Sequence, residues 1–132
     1  MSKSNIFKNP VHLGLGATAV VQPEMMGGME WYMEYGKRTE ADGAEGRLVN
    51  LITFTESWKD WEVHPNGDEL VLCTAGSITL HQEKVDGTKA TVTLGPGEYI
   101  VNEPGTWHTA DIEDTATALF ITAGLGTEGR PR

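Results

Sequence analysis

Turn signals break this chain into short segments that leave little room for a long helix. Gly27-Gly28, Asp42-Gly43, Asn66-Gly67, Asp86-Gly87, Gly95-Pro96-Gly97, Pro104-Gly105 and Gly124 supply the positive-φ and fixed-φ positions that tight turns require. Between them lie runs rich in Val, Ile, Leu, Thr and aromatic residues, which suit a pleated, half-buried surface. The pattern predicts strands over 18–22, 29–35, 47–55, 59–64, 69–75, 77–83, 90–94, 98–102, 107–112 and 116–123. No window has strong helical periodicity. Met25, Met26, Met29 and Met33 could make a helical stripe, but Gly27-Gly28 interrupts it, so the reading is a Met-filled patch of core. About ten short strands in 132 residues suggest an all-β sandwich or small barrel. Ala118-Leu119-Phe120-Ile121, apolar on both faces, fits a strand buried inside such a double layer.

The length fits one domain with one real core. A formal net charge of −9 argues against nucleic-acid binding, which needs Lys and Arg to displace counterions from phosphate. It argues equally against an anionic membrane surface. Cys73 is the only cysteine, so no intrachain disulfide can form. With no apolar segment after Met1 long enough for a signal peptide or membrane span, the expectation is a cytoplasmic protein.

The segment Trp61-Glu62-Val63-His64-Pro65-Asn66-Gly67-Asp68-Glu69 places ionisable groups at the entrance to an apolar run. If 59–64 and 69–75 are antiparallel neighbours, Pro65 to Asp68 is the hairpin loop and His64 sits opposite Glu69. Opposed residues have Cβ atoms about 4.5–5.5 Å apart, and period-2 alternation puts Glu62 on the same face. Three potential ligands then converge. Burying carboxylates costs several kcal/mol per uncompensated ion, a penalty that a divalent cation removes. The alternative is a solvated rim hairpin with one His–Glu hydrogen bond. A second segment, Gly97 to His108, has a Pro-Gly turn before its histidine and reads as another hairpin.

At this point the sequence resembles the cupin family. In its first motif (a glycine, His-x-His, three or four residues, Glu, six residues, Gly), His64 matches the second histidine, Glu69 the glutamate and Gly76 the closing glycine. In its second (Gly, five residues, Pro-x-Gly, two residues, His, three residues, Asn), Gly97, Gly105 and His108 fall at the required spacing. The departures are Glu62 at the first histidine's place, Glu56 at the leading glycine, Glu103 at the proline and Ile112 at the final asparagine. The resemblance covers about 56–112. It implies a cupin-type double-stranded β-helix, jelly-roll-like, as one domain over 1–132. Motif one spans about 56–76 and motif two about 97–112; 1–17 is an N-terminal arm and 124–132 a C-terminal tail, read as a loose end or dimer arm.

The resemblance also implies a metal site of Glu62, His64, Glu69 and His108, suited to Fe, Mn, Ni or Zn. Glu62 stands open as ligand, nearby base or hindrance. A small polar organic molecule would bind beside the metal, with dioxygenase, isomerase or lyase chemistry. The competing readings are a non-catalytic ligand-binding or sensor cupin and a metal-free relic. A homodimer is the family expectation. His81 reads as an exposed histidine outside the site, His12 as a surface or dimer-contact residue, and Cys73 as a small buried hydrophobe. Trp107, adjacent to His108 and pointing the opposite way, packs outside the pocket or at a subunit contact. Only one of Tyr99 and Asn102 can face inward.

Overall fold

In the computed structural model, which describes residues 1–132, the chain forms two antiparallel sheets packed face to face. The strands are β1 (Val11–Gly14), β2 (Thr18–Val21), β3 (Arg47–Phe54), β4 (Asp60–Val63), β5 (Glu69–Gly76), β6 (Ile78–Glu83), β7 (Lys89–Leu94), β8 (Tyr99–Asn102), β9 (Trp107–Asp111), β10 (Ala116–Thr122) and β11 (Glu128–Pro131). One sheet runs β2-β1-β3-β10-β5-β8 and the other β11-β4-β9-β6-β7. Only β1–β2 and β6–β7 are hairpins between consecutive strands; from β3 to β6 and from β7 to β11 each connection crosses to the opposite sheet. Every crossing turn therefore stands at an end of the sandwich, where groups from both sheets can meet.

Two expected hairpins are corrected by this topology. β4 pairs with β9 and β11, whereas β5 pairs with β10 and β8, so the Pro65–Asp68 loop is a corner between sheets. The Gly97–His108 segment likewise steps from β8 in one sheet to β9 in the other. Local alternation fixes which face of a strand is apolar but leaves its hydrogen-bonding partner open.

Alternate residues fill the space between the layers. Val71 and Cys73 on β5, Ile78 and Leu80 on β6, Ala110 on β9, and Ala116, Ala118 and Phe120 on β10 form the core, joined by Leu94 and Ile112. At the β5–β6 corner Gly76 has φ 72°, and a Cβ there would run into the Thr115 carbonyl, so only glycine fits. The β10–β5 register shifts between Thr117 and Ala118, a bulge just before this corner.

The N-terminal third differs most from expectation. Residues 29–35, read as a strand, lie in helix α1 (Met29–Thr39), which leads into a 3-10 turn over Glu40–Glu45. Gly27-Gly28 does not interrupt this helix but precedes it. Good helix formers follow, with Glu30 in the first turn and Lys37 and Arg38 in the last, matching the helix dipole. The methionines are not core: Met26, Met29 and Met33 are all exposed. The helix is held through other residues. Trp31 stacks on Tyr35, and Arg38 donates to Gln22 Oε1.

His12 is also corrected. It is buried on β1, with Nε2 2.6 Å from Asp42 Oδ2 and Nδ1 2.6 Å from the Tyr35 hydroxyl. Burial pushes the Tyr35 phenol up to about 12, with the Asp42 charge acting in the same direction. The arm over 1–17 thus contains β1, and this cluster ties it to the helix and the 3-10 turn. The tail over 124–132 is ordered too, as β11. Its Arg130 guanidinium lies 4.4 Å over Trp107 and 5.3 Å over Trp61, and donates to Glu83 Oε2. Trp107 accordingly packs on the outer face.

Candidate metal centre

Four side chains meet at the end of the sandwich where β4 passes to β5 and β8 to β9. In the β4–β9 register Glu62 lies directly opposite His108. His64 follows β4, and Glu69 opens β5 beside Asn102 of β8. His64, Glu69 and His108 are buried, whereas the Glu62 side chain is 46% exposed and reaches the others from the open side. Glu62, His64 and His108 each offer a ligand atom, and all three atoms lie within 4.8 Å of one another. Glu69 bridges the imidazoles, with Oε2 3.1 Å from His64 Nε2 and Oε1 3.1 Å from His108 Nε2. Glu62 Oε2 is 4.0 Å from both nitrogens.

The surrounding hydrogen bonds fix the tautomers. Thr127 Oγ1 donates to the Gly124 carbonyl, so at 2.7 Å it accepts from His64 Nδ1–H. His108 Nδ1–H donates to the Thr106 carbonyl at 3.1 Å. With Nδ1 so engaged, each imidazole turns Nε2 into the cavity, the arrangement of a histidine that ligates a metal once Nε2 gives up its proton. Both Nε2 atoms are buried and lack a hydrogen-bond partner of acceptable geometry, despite their closeness to Glu69. Glu69 is oriented by Asn102 Nδ2, donating to Oε1 at 3.1 Å, and Thr122 Oγ1, donating to Oε2 at 2.7 Å. Two imidazole nitrogens and two carboxylates converging on one point fit a divalent transition ion, which would displace any proton held between them.

Electrostatics separate the two carboxylates. Burial works to raise the Glu69 carboxyl, but hydrogen bonding and charge from His108 and His64 outweigh it and hold Glu69 well below the usual carboxylate range. Glu62 shifts the other way, raised by burial and then by the Glu69 charge, with the imidazoles only partly compensating. His108 is raised: burial opposes its charge, and Glu69 overcomes that opposition.

An aromatic wall adjoins the site. The Trp58 ring meets His108 edge-on at 6.2 Å and lies 6.1 Å from Phe120 and 5.6 Å from Phe54. Tyr32, from α1, brings its hydroxyl beside Asn50 and into electrostatic reach of Glu62 and Glu69. Burial, then the Glu62 charge, raises its phenol.

All four expected ligands are thus brought together, although through two sheet-crossing corners instead of hairpins. His81 stays outside, between Asp111 and Thr91 on the outer face. Of the pair tied by alternation, Asn102 faces in and Tyr99 is exposed. Cys73 is a buried free thiol in the core. Sequence reasoning missed Thr122, Thr127 and Asn50. Alternation from Phe120 could have placed Thr122 inward, but no local signal in the tail marks Thr127.

No protein-family model matches the chain, and no curated protein is similar enough in sequence to count as a relative. Solved structures do resemble it. Peruvianin-I, a cysteine peptidase from Thevetia peruviana latex, aligns with TM-score 0.54 and 21% identity over 65% of this chain and 55% of that one. Hydroquinone 1,2-dioxygenase from Sphingomonas sp. TTNP3, with 4-hydroxybenzoate bound, gives 0.51 and 20% over 58% and 59%. Oxalate oxidase in complex with glycolate gives 0.54 and 14% over 62% and 45%. This chain spans about half the length of these structures. At such identities the likeness speaks for the fold and not for an activity. Two antiparallel sheets, crossing corners and these structural neighbours together give the chain the cupin fold.

Proposed function

We propose that this protein holds one divalent transition-metal ion through Glu62, His64, Glu69 and His108, and binds a small polar organic molecule beside it. The observation that carries the reading is the convergence of His64 Nε2 and His108 Nε2 on the carboxylate oxygens of Glu69, at 3.1 Å, and of Glu62, at 4.0 Å. A bound ion would supply Lewis-acid or redox chemistry. The protein's own part is to present the lone pairs, orient Glu69 through Asn102 and Thr122, and keep the inner side of the site dry. Glu62, partly exposed and raised, stands where it can hold or release a proton at its carboxylate. Small-molecule oxygenase, isomerase or lyase activity is the leading form of this reading, and a non-catalytic ligand sensor is the second. The retained carboxylate Glu62, in place of an imidazole, is the observation that favours the second.

Metal analysis of protein purified without chelators tests the centre. We expect about one ion per chain, lost in His64→Ala and His108→Ala and kept in His81→Ala. Equal metal content in all three variants would refute the assignment. Metal absent from the parent, with no thermal stabilisation by Fe(II), Mn(II), Ni(II) or Zn(II), would instead support a metal-free polar pocket. Oxygen uptake and turnover over a panel of diketones, hydroxy acids and aromatic diols separate enzyme from sensor.

The same reading takes the 132 residues as one domain in the cytoplasm, supported by the single free, buried Cys73. It also includes a homodimer. β2 is an outer strand of its sheet, exposed along its length, and carries Val20 and Val21, an edge that a second copy could extend. Sedimentation at micromolar concentration measures this, and a monomer there counts against it. No helix is long and apolar enough to cross a membrane.

A further inference from the structure

Four buried side-chain polar atoms in this protein lack a hydrogen-bond partner: His64 Nε2, His108 Nε2, Asn50 Oδ1 and Trp58 Nε1. A metal accounts for the first two. The other two lie in the same interior. Asn50 sits opposite Phe120 in the β3–β10 register, and Trp58 lies against both Phe120 and His108. An acceptor and a donor therefore flank one aromatic surface next to the centre. Such atoms stay unpaired in a fold only at a cost, which a ligand with complementary groups would relieve.

Charge narrows the ligand further. Two carboxylates, Glu62 and Glu69, cancel the two positive charges of a divalent ion, so the loaded centre is neutral. No cation stands inside this interior to recognise an acid: all ten lysines and arginines are exposed, and Arg132, which reaches the Trp58 carbonyl, is also paired with Asp111. Arg38 is engaged by Gln22, Arg130 by Glu83 and Arg132 by Asp111 on the outside. A carboxylate ligand entering this interior would be desolvated without compensation.

We propose that the site selects neutral, hydroxylated or carbonyl-bearing molecules with a flat apolar body over carboxylic acids, with Asn50 and Trp58 as its hydrogen-bonding residues opposite the metal ligands. Asn50 Oδ1 accepts from a ligand hydroxyl, Trp58 Nε1 donates to a ligand oxygen, and Phe54, Phe120 and the Trp58 ring pack on the body. The proposal rests on the metal reading only for the loaded form. In metal-free protein the two carboxylates are offset only by the two imidazoles beside them, and the preference for neutral ligands has the same sign.

The test is titration calorimetry, with tryptophan fluorescence as a second readout, of 3-hydroxybenzyl alcohol against 3-hydroxybenzoate. Both the loaded and the chelator-treated protein are used, with metal content measured in each. We expect the alcohol to bind at least about tenfold more tightly in both forms, the equivalent of one charge-assisted hydrogen bond. Asn50→Leu should weaken the alcohol about tenfold at unchanged metal content. Trp58→Phe, which keeps the ring and removes the N–H, should do the same. Glu62→His, which leaves the loaded centre with one positive charge, should recover the benzoate by at least about tenfold. Equal or tighter binding of the benzoate by the parent, no binding of either probe at millimolar concentration, or unchanged alcohol affinity in Asn50→Leu and Trp58→Phe would overturn the proposal. Failure to take up metal, with the neutral preference intact, would overturn the metal reading alone.

Discussion

Thr127→Val tests whether the C-terminal strand governs the centre. Thr127 is exposed and lies outside both sequence motifs, yet its hydroxyl oxygen is the sole partner of His64 Nδ1, at 2.7 Å. That oxygen spends its proton on the Gly124 carbonyl, so it must accept from the imidazole. Valine keeps the shape and removes the acceptor. Nδ1–H then loses its partner, and the tautomer that bares Nε2 is no longer favoured. Loss of such an outer hydrogen bond typically costs 10–100-fold in metal affinity, or about 1.4–2.7 kcal/mol. The metal-free protein loses one hydrogen bond at a wet edge, about 1 kcal/mol, and should melt only about 2–5 °C lower. Competition with a chromophoric chelator measures the first quantity and differential scanning calorimetry of chelated protein the second. Thr127→Ser, which keeps the hydroxyl, should bind metal like the parent. If Thr127→Val holds metal within threefold of the parent while Thr127→Ser does the same, the hydroxyl does not set the imidazole's tautomer and the argument is wrong.

Two further outcomes follow from the outer parts of the fold. Tyr35→Phe removes a partner of buried His12 and should destabilise by roughly 1–3 kcal/mol in urea denaturation, with metal content unchanged; a variant as stable as the parent would show that the His12 cluster does not anchor the helix. Hydrogen bonds from Arg132, and then His81, hold the Asp111 carboxyl below its ordinary value. A depressed carboxyl contributes stability above its unfolded pKa of about 3.9, and this is lost as pH falls through the lower folded value. Arg132→Gln should therefore flatten the fall in melting temperature below about pH 4, modestly because Asp111 is partly exposed. An unchanged acid limb would show that this pair is silent.

What was legible from sequence was whatever short-range periodicity and turn chemistry dictate. Strands β3 to β10 lie where alternation and β-propensity put them. Glu62, His64, Glu69 and His108 come together, the set that the cupin resemblance implied, but not through the hairpin that local spacing suggested. The Met25–Met33 segment was misread because Gly27-Gly28 was taken for an interruption when it is the boundary of α1. Residues 11–14 and 128–131 were missed because they carry little apolar patterning of their own. β11 is held by β4 and by Arg130 between two tryptophans, a partnership made across more than sixty residues.

The sequence by itself determined the four candidate donors, two carboxylates and two imidazoles, and the crowd of glycines that forces sharp corners. Only the tertiary structure decided that β4 and β5 part company into different sheets. It also decided that Thr127 and the Thr106 carbonyl turn both imidazoles the same way, and that Asn50 and Trp58 are left unpaired beside them. The physical reason is that side-chain alternation is a local property of the backbone. Which strand accepts a given hydrogen bond is settled by the packing of the whole sandwich.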